Sequence, residues 1–250
     1  SAKEPLPFPP GAIPEGVEVI DMSTYLPLVR SGNSWPYKIK VHQPQNLGRL
    51  PKEFHEENKD MFALKKDGTR NFNMFCYSST KTLEYLLDGC ERVWDEGGGA
   101  TWVTATCVTV SPGDSAVACQ CPDCQETYER GGGTWIDGNS LIMALFVKRM
   151  CEAVKQRWPD KKVIYLPYWN YQECPEGVEY PDNLVIMAAM TTYPMPLNAQ
   201  EKNFQEALDR LRAWRAKACL PVTIWDYCVG WTYGAYQYPH VVRDFYQAAG

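Results

Sequence analysis

The sequence predicts an α/β fold of repeated strand-then-helix units, best interpreted as a large part of a TIM-type (β/α) barrel. Apolar, β-branched runs such as TWVTATCVTV alternate along the chain with longer segments whose apolar residues recur at helical spacing. Strands separated by helices of this length require the long return connections of parallel βαβ units. An open doubly wound parallel sheet is the alternative, because the sequence supplies five good strands and a closed barrel needs eight.

Each predicted strand is a short run rich in β-branched and other apolar residues, bounded by turn or helix-start residues. The predicted strands are 37–42, 101–110, 161–169, 183–190 and 220–228. The predicted helices share an apolar face at helical spacing and a capping residue or proline at one end. They are a short helix around Phe54, one that begins near Ser78 to Thr80 and ends before the glycines at 97–99, then 139–158, 199–218 and a last one from Pro239.

The amino-terminal segment differs in composition from the rest of the chain. Residues 1–36 are rich in Pro and Gly and lack a sustained period, which predicts an extended lead-in or the remnant of a preceding domain. A barrel-like catalytic or glycan-binding domain is therefore expected over residues 37–250.

Composition argues against two classes of partner. The net charge of −5 and the absence of a basic block leave no electrostatic footprint for nucleic acid. No apolar run approaches the roughly 20 residues of a membrane helix.

Nine Trp and 15 Tyr residues, many in loop-like segments, favour a surface that binds sugar rings, although core packing explains any single aromatic about equally well.

Polar and aromatic residues follow the predicted strands, at the edge where parallel α/β proteins bind ligands. Because they come from separate loops that converge on one edge, they are candidates for one site. The candidate ligand-binding residues are His42, Tyr168, Trp169, Tyr193, Trp225, Tyr227 and Trp231.

Asp114 and Asp226 each follow a buried strand and are the candidate catalytic pair. Glycoside hydrolysis uses two carboxyl groups, one as general acid and one as base, nucleophile or charge stabiliser. The alternative for Asp114 is a turn or helix cap within SPGDS, and for Asp226 a hydrogen-bonded residue at a strand end.

The three histidines do not form a metal-site pattern. His42 follows a strand and is the one expected near a ligand, whereas His55 is expected to be an exposed helix residue and His240 to be structural. A hydrolytic metal site of His and carboxylate ligands is therefore not predicted.

The segment CQCPDC places Cys119, Cys121 and Cys124 within six residues. Three thiolates at this spacing form a knuckle that closes around Zn²⁺ when a fourth cysteine joins it, and Cys76 is the expected fourth ligand. Disulfides are the alternative, because ten cysteines, an even number, also fit an oxidising compartment. Either way the role is structural, and no organic cofactor is expected.

Several segments together resemble a known family. They are GRLPKEFHEENKDMFALKKDGTR, FCYSS, VTVSPGDS, CQCPDC, WPDKKVIYLPYW, PDNLVIM and IWDY. The combination resembles a large uncharacterised bacterial family of secreted barrel proteins with S-P-x-D and C-x-C-x-x-C motifs. Its members are expected to be glycoside hydrolases distantly akin to α-glucuronidase and hexosaminidase barrels.

The resemblance implies a TIM-like fold, an extracellular or periplasmic location, and action on glycans. This chain has Gly113 where members usually have Asn, and members continue into a glycine-rich strand that bears a glutamate. The leading hypothesis is therefore a glycoside hydrolase-like protein that processes a polysaccharide or oligosaccharide. The alternative is a noncatalytic carbohydrate-binding or scaffold domain stabilised by a zinc or disulfide cluster.

Overall fold

The structure, a computed structural model, describes residues 42–189, 201–220 and 222–225. The predicted lead-in and its boundary, most of the first predicted strand and the last predicted helix lie outside these residues. The described part is a mixed α/β fold with one parallel sheet and one antiparallel hairpin, which confirms the predicted class.

The strands fall into two groups. A hairpin of two antiparallel strands comes first along the chain, and four parallel strands follow, hydrogen-bonded in chain order. The strands are β1 (Phe62–Leu64) and β2 (Arg70–Phe75) in the hairpin, then β3 (Cys107–Thr109), β4 (Lys162–Tyr165), β5 (Leu184–Ala189) and β6 (Thr223–Trp225) in the parallel sheet.

Five α-helices surround these strands within the described residues. They are α1 (Lys52–Glu57), α2 (Thr80–Trp94), α3 (Pro122–Arg130), α4 (Asp137–Arg157) and α5 (Glu201–Lys217). Three 3-10 turns accompany them at Leu47–Arg49, Lys59–Met61 and Trp169–Tyr171. None of the described helices combines the length and apolar character that crossing a bilayer requires.

The parallel sheet brings the carboxyl ends of its strands to one edge. Pairing is in register from Val108 on β3 to Val163 on β4, and from Ile164 on β4 to Val185 on β5. Among the described strands, the order in the sheet follows the order along the chain, without the reversal that marks a doubly wound sheet. The described strands do not close into a barrel.

Helix α4 forms the main covering of the core because most of its residues are apolar. Its 21 residues include the fully buried Met143, Phe146, Val147 and Met150. The predicted helix at 139–158 is therefore confirmed within two residues at its start and one at its end.

The predicted strand at 101–110 is largely wrong. Only β3 is strand, because a tight turn interrupts the segment: the Thr104 amide donates to the Cys107 carbonyl at 2.8 Å, and the Cys107 amide donates to Thr104 Oγ1 at 3.1 Å. The Thr109 amide then donates to the Trp102 carbonyl, so the first half of the run folds back on the second. A threonine hydroxyl that captures a nearby amide competes with strand pairing, and this local bond overrides the β-branched composition.

The expected exposure of His55 is also wrong. Its side chain is buried, its Nε2 lies 2.9 Å from the Leu47 carbonyl oxygen, and its ring stacks on Phe72 at 4.3 Å. Phe72 belongs to β2, so His55 joins α1 to the hairpin. The sequence does not show this because the contact depends on a hairpin that lies outside the five predicted strands.

Asn170 ties together the loops that follow β3 and β4. Its side chain is fully buried, its Nδ2 donates to the Val117 carbonyl at 2.8 Å, and its Oδ1 accepts from the Val117 amide at 3.0 Å. One asparagine thus pairs both backbone groups of a buried loop residue, and it fixes that loop beside the sheet.

Replacing Asn170 by Ala is predicted to lower the free energy of unfolding by about 2–4 kcal/mol, because both backbone groups of Val117 lose their partners in a buried place. Urea unfolding measures the loss. Asn73→Ala is the matched control and should cost less than about 1 kcal/mol, because Asn73 is exposed and water replaces its bond to the Gly48 amide. Equal losses in the two variants would show that the Asn170 bonds do not hold the loop.

Candidate functional site

Four cysteines from three parts of the fold lie together, as predicted from the close spacing of three of them and the choice of Cys76 as the fourth. Cys76 directly follows β2, Cys119 and Cys121 lie in the loop after β3, and Cys124 lies in the first turn of α3. The Cys76 amide donates to the Met61 carbonyl, and the Gln120 amide donates to the Leu64 carbonyl, each at 2.8 Å. Backbone pairing therefore fixes both halves of the cluster against the hairpin.

The spacing of the four sulfur atoms fits a tetrahedral metal ion. All four lie within 4.8 Å of one another, with Cys76 Sγ 3.6 Å from Cys121 Sγ and 3.8 Å from Cys124 Sγ. Zinc–sulfur bonds of about 2.3 Å in tetrahedral geometry put sulfur atoms about 3.8 Å apart. Each of the nine cysteines that the structure describes is free of disulfide bonds. The four cysteines could therefore hold a metal ion.

Dipoles and one cation surround the cluster and offset the negative charge of thiolates. The Leu64 amide donates to Cys119 Sγ at 3.3 Å, and Ser78 Oγ lies 3.0 Å from Cys124 Sγ. Cys124 also lies at the positive amino-terminal end of α3. Arg149 on α4 donates to the carbonyl oxygens of Tyr77 and Ser78, which flank the cluster on the chain after Cys76. Such outer contacts orient ligands and stabilise their charged form.

The four cysteine thiols of the cluster differ in pKa because they are hydrogen-bonded to one another. Hydrogen bonds from Cys121 and Cys124 lower the pKa of Cys119 far below its usual range. The hydrogen bond with Cys119 raises the pKa of Cys121, but bonds with Cys124 and Cys76 outweigh it and lower the value to about 7. The pKa values of Cys76 and Cys124 are raised, first by hydrogen bonds to Cys119. Binding a divalent cation here would displace the remaining protons, since the thiolate is the ligand form.

A polar cavity of about 280 Å³ lies at the carboxyl edge of the sheet. Asp114, predicted as catalytic, lines it, and His42 Nε2 lies 3.8 Å from Asp114 Oδ1. His42 Nδ1 lies 2.8 Å from the Pro112 carbonyl oxygen, which fixes that nitrogen as the donor and directs Nε2 toward the carboxylate. Asp114 itself is 81% exposed, so its carboxylate is accessible to a ligand.

Gln43 is the most unusual polar residue of this cavity. It is 5% exposed, its amide nitrogen Nε2 donates to the Tyr77 hydroxyl at 2.8 Å, and its Oε1 is buried without a hydrogen-bond partner among the described residues. Turning the amide over would leave Nε2 unpaired instead, so one end of Gln43 lacks a partner in either orientation. Burial raises the pKa of Tyr77, which keeps its hydroxyl neutral.

The predicted aromatic residues differ in accessibility. Trp169 and Trp225 are 48% and 39% exposed, whereas Tyr168 is half-buried and packs edge-on against Tyr171. Trp169 has a φ of 46°, an uncommon backbone conformation for a large residue, and such positions concentrate at functional sites. The other predicted site residues lie outside the described residues: Tyr193, Asp226, Tyr227 and Trp231.

Sequence reasoning missed Gln43 and Tyr77, which line the cavity beside Asp114. Gln43 follows His42 at the end of a predicted strand, so the strand-end rule that selected His42 could also have selected its neighbour. Tyr77 follows Cys76, but the position of its side chain in the cavity depends on tertiary contacts that the sequence does not display.

Zinc binding by the four cysteines predicts about one Zn²⁺ per purified chain. Cys119→Ser should lose most of this zinc and lower the urea midpoint of unfolding, because a structural site contributes its binding energy to folding. Elemental analysis and denaturation measure the two effects.

Cys174→Ser is the matched control and should keep its zinc, because Cys174 is half-buried but lies outside the cluster. Purified wild-type protein that carries no metal and whose four cysteines resist alkylation until reduced would instead support disulfides.

Comparison with known proteins agrees with the uncharacterised family that the motifs resemble. No curated protein matches the chain. A family model described as a domain of unknown function, DUF4838, matches residues 27–243, well over half of the chain. The chain belongs to the DUF4838 family.

Proposed function

We propose that this protein processes glycans, and that the cavity at the carboxyl edge of the parallel sheet binds the sugar. The observation that carries the proposal is the buried amide of Gln43, one end of which has no partner among the described residues. A buried polar atom without a partner costs about 1–3 kcal/mol, which a ligand hydroxyl at that atom would recover. Sugars present many hydroxyls, and the cavity presents polar groups from several separate loops.

The chemistry of the lining fits a sugar better than an apolar ligand. Asn73, Gln45 and Ser115 line the cavity together with Gln43 and Asp114. The amides and the hydroxyl can donate and accept hydrogen bonds and the carboxylate accepts them, so the lining can pair with a sugar hydroxyl in either role. The proposed contact to Oε1 of Gln43 selects a ligand group that donates.

Asp114 is the proposed acid/base residue, with Asp226 as the second carboxylate of the pair. His42 lies beside Asp114 with its Nε2 3.8 Å from the carboxylate, and it is proposed to position Asp114 when that nitrogen also carries a proton, because only then does it attract the carboxylate. In the proposed reaction one carboxyl group protonates the glycosidic oxygen as that bond breaks. The other carboxylate either attacks the anomeric carbon or activates the water that does.

The sheet is proposed to be part of a TIM-type barrel. The order of β3 to β6 follows the chain, as in a barrel, and lacks the reversal of an open doubly wound sheet. The backbone amide of Gln43 donates to the Ser111 carbonyl at 2.8 Å, so Gln43 lies beside the chain that leaves β3. Sites of barrel enzymes lie at this same edge.

A noncatalytic glycan-binding domain is the second candidate, and the exposure of Asp114 favours it. A general acid near neutral pH usually needs a buried carboxyl group, and Asp114 is 81% exposed.

The cysteine cluster is proposed to hold a structural zinc, because four thiolates leave no open position for catalysis. An extracellular or periplasmic location remains a prediction from the family resemblance.

Gln43→Leu is predicted to weaken sugar binding about tenfold to a hundredfold, because the ligand hydroxyl loses its acceptor. Isothermal titration with the best ligand from a glycan array measures the change. Gln156→Leu makes the same substitution at an exposed position on α4 and should leave affinity unchanged. Equal affinity in the two variants would remove Gln43 from the binding site.

Asp114→Asn and Asp226→Asn are each predicted to keep the fold and most of the sugar affinity and to lose most turnover, because an amide cannot exchange the proton. Product analysis on the same glycan measures turnover. Full hydrolysis by both variants would exclude this carboxylate pair, whereas binding without hydrolysis by the wild-type protein would establish the noncatalytic alternative.

A further inference from the structure

Exposed aromatic residues point to a second site. Within the described residues the large hydrophobic side chains that are exposed are all tryptophans: Trp135 at 50%, Trp169 at 48% and Trp225 at 39%. Trp169 and Trp225 belong to the edge already discussed. Trp135 lies in the connection from β3 to α4, which starts from the same edge, and it has no part in the cavity around Gln43.

Trp135 lines a separate cavity of about 730 Å³. The walls combine one indole with smaller apolar groups, among them Leu141 and Pro175, and the rim carries charged residues of both signs. This volume is ample for one or two sugar rings. A flat aromatic surface beside polar rim groups is the arrangement that sugar rings favour, since their C–H faces stack and their hydroxyls need partners.

Two of the charged residues at the rim lack side-chain partners among the described residues. Arg130 and Glu176 line the cavity and form no ion pair or hydrogen bond with any side chain that the structure describes. By contrast, Glu173 is held by Arg210 at 2.8 Å, and Asp137 accepts from Thr134 Oγ1 at 2.7 Å. The charged groups that already have partners thus form part of the walls. The Arg130 guanidinium and the Glu176 carboxylate remain available to bind hydroxyls of a ligand.

The walls of the cavity are held in place before any ligand arrives. The Glu173 amide donates to Ser140 Oγ at 3.1 Å, which joins the loop after β4 to α4. Gly138 lies so close to Tyr128 that a Cβ there would be 2.4 Å from the ring, so α3 packs directly on the start of α4. Trp135 therefore extends from a segment that packing and hydrogen bonds hold in place. Because the site is formed before the ligand arrives, binding costs little conformational entropy.

We propose that the cavity beside Trp135 binds a pyranose unit of a glycan as a distal subsite. The proposal rests on the proposed function and deepens it, because a second subsite along the same edge makes the ligand an oligosaccharide or polysaccharide and not a single sugar. Trp135 supplies the stacking surface, and Arg130 and Glu176 bind ring hydroxyls.

The test is a titration of ¹⁵N-labelled full chain with disaccharides and hexasaccharides of the cello-, xylo-, malto- and chito-series, monitored at the tryptophan indole signals. Trp135→Phe and Trp169→Phe assign the two signals. The proposal expects a hexasaccharide to shift both signals. Trp135→Ala should weaken hexasaccharide binding about threefold to tenfold and leave disaccharide binding unchanged.

Trp169→Ala is the matched control, an exposed tryptophan of the neighbouring loop, and it should weaken binding of both ligand lengths. A shift at Trp169 with none at Trp135 would overturn the distal subsite and leave the proposed function standing. A shift at Trp135 together with wild-type sugar affinity in Gln43→Leu would support the site and contradict the proposed function at the Gln43 cavity. No shift with any sugar would refute both.

Discussion

The arrangement of this protein depends on the four-sulfur cluster formed by Cys76, Cys119, Cys121 and Cys124. It joins the end of a hairpin to the loop after the first parallel strand and to the start of α3, and Arg149 links it to α4. A hairpin of two strands is at best marginally stable alone, so it needs such a connection. The described sulfurs stand at the separations that one tetrahedral ion imposes, which two independent disulfides would not require.

The same cluster explains why the carboxyl-edge cavity has its shape. Tyr77 directly follows Cys76, its carbonyl oxygen is held by Arg149, and its hydroxyl accepts from Gln43. The unpaired end of Gln43 is therefore positioned by a chain of contacts that begins at Cys76, one of the four clustered cysteines. A structural ion can in this way set the geometry of a ligand site without contacting the ligand.

The sequence was informative where local chemistry decides structure. The sequence predicted the bounds of α4 from its apolar period. It also predicted the cluster of Cys119, Cys121 and Cys124 from their close spacing. Both predictions depend only on neighbours along the chain. The turn at Thr104 and the burial of His55 were not, since a side-chain-to-backbone bond and a stacking contact with Phe72 override composition. Cys76 was predicted as the fourth member of the cluster only because it follows a short apolar run. The strand-end rule could have selected Gln43 together with His42, but the unpaired end of its side-chain amide is visible only in three dimensions.

X-ray absorption at the zinc edge tests the central claim, that a single metal ion held by all four cysteines organises this fold. The account predicts four sulfur neighbours at about 2.3 Å and no nitrogen or oxygen neighbour in the first shell. Zinc bound to nitrogen or oxygen ligands at about 2.0–2.1 Å, or purified protein without zinc and with sulfur–sulfur bonds of about 2.05 Å at the sulfur edge, would contradict it.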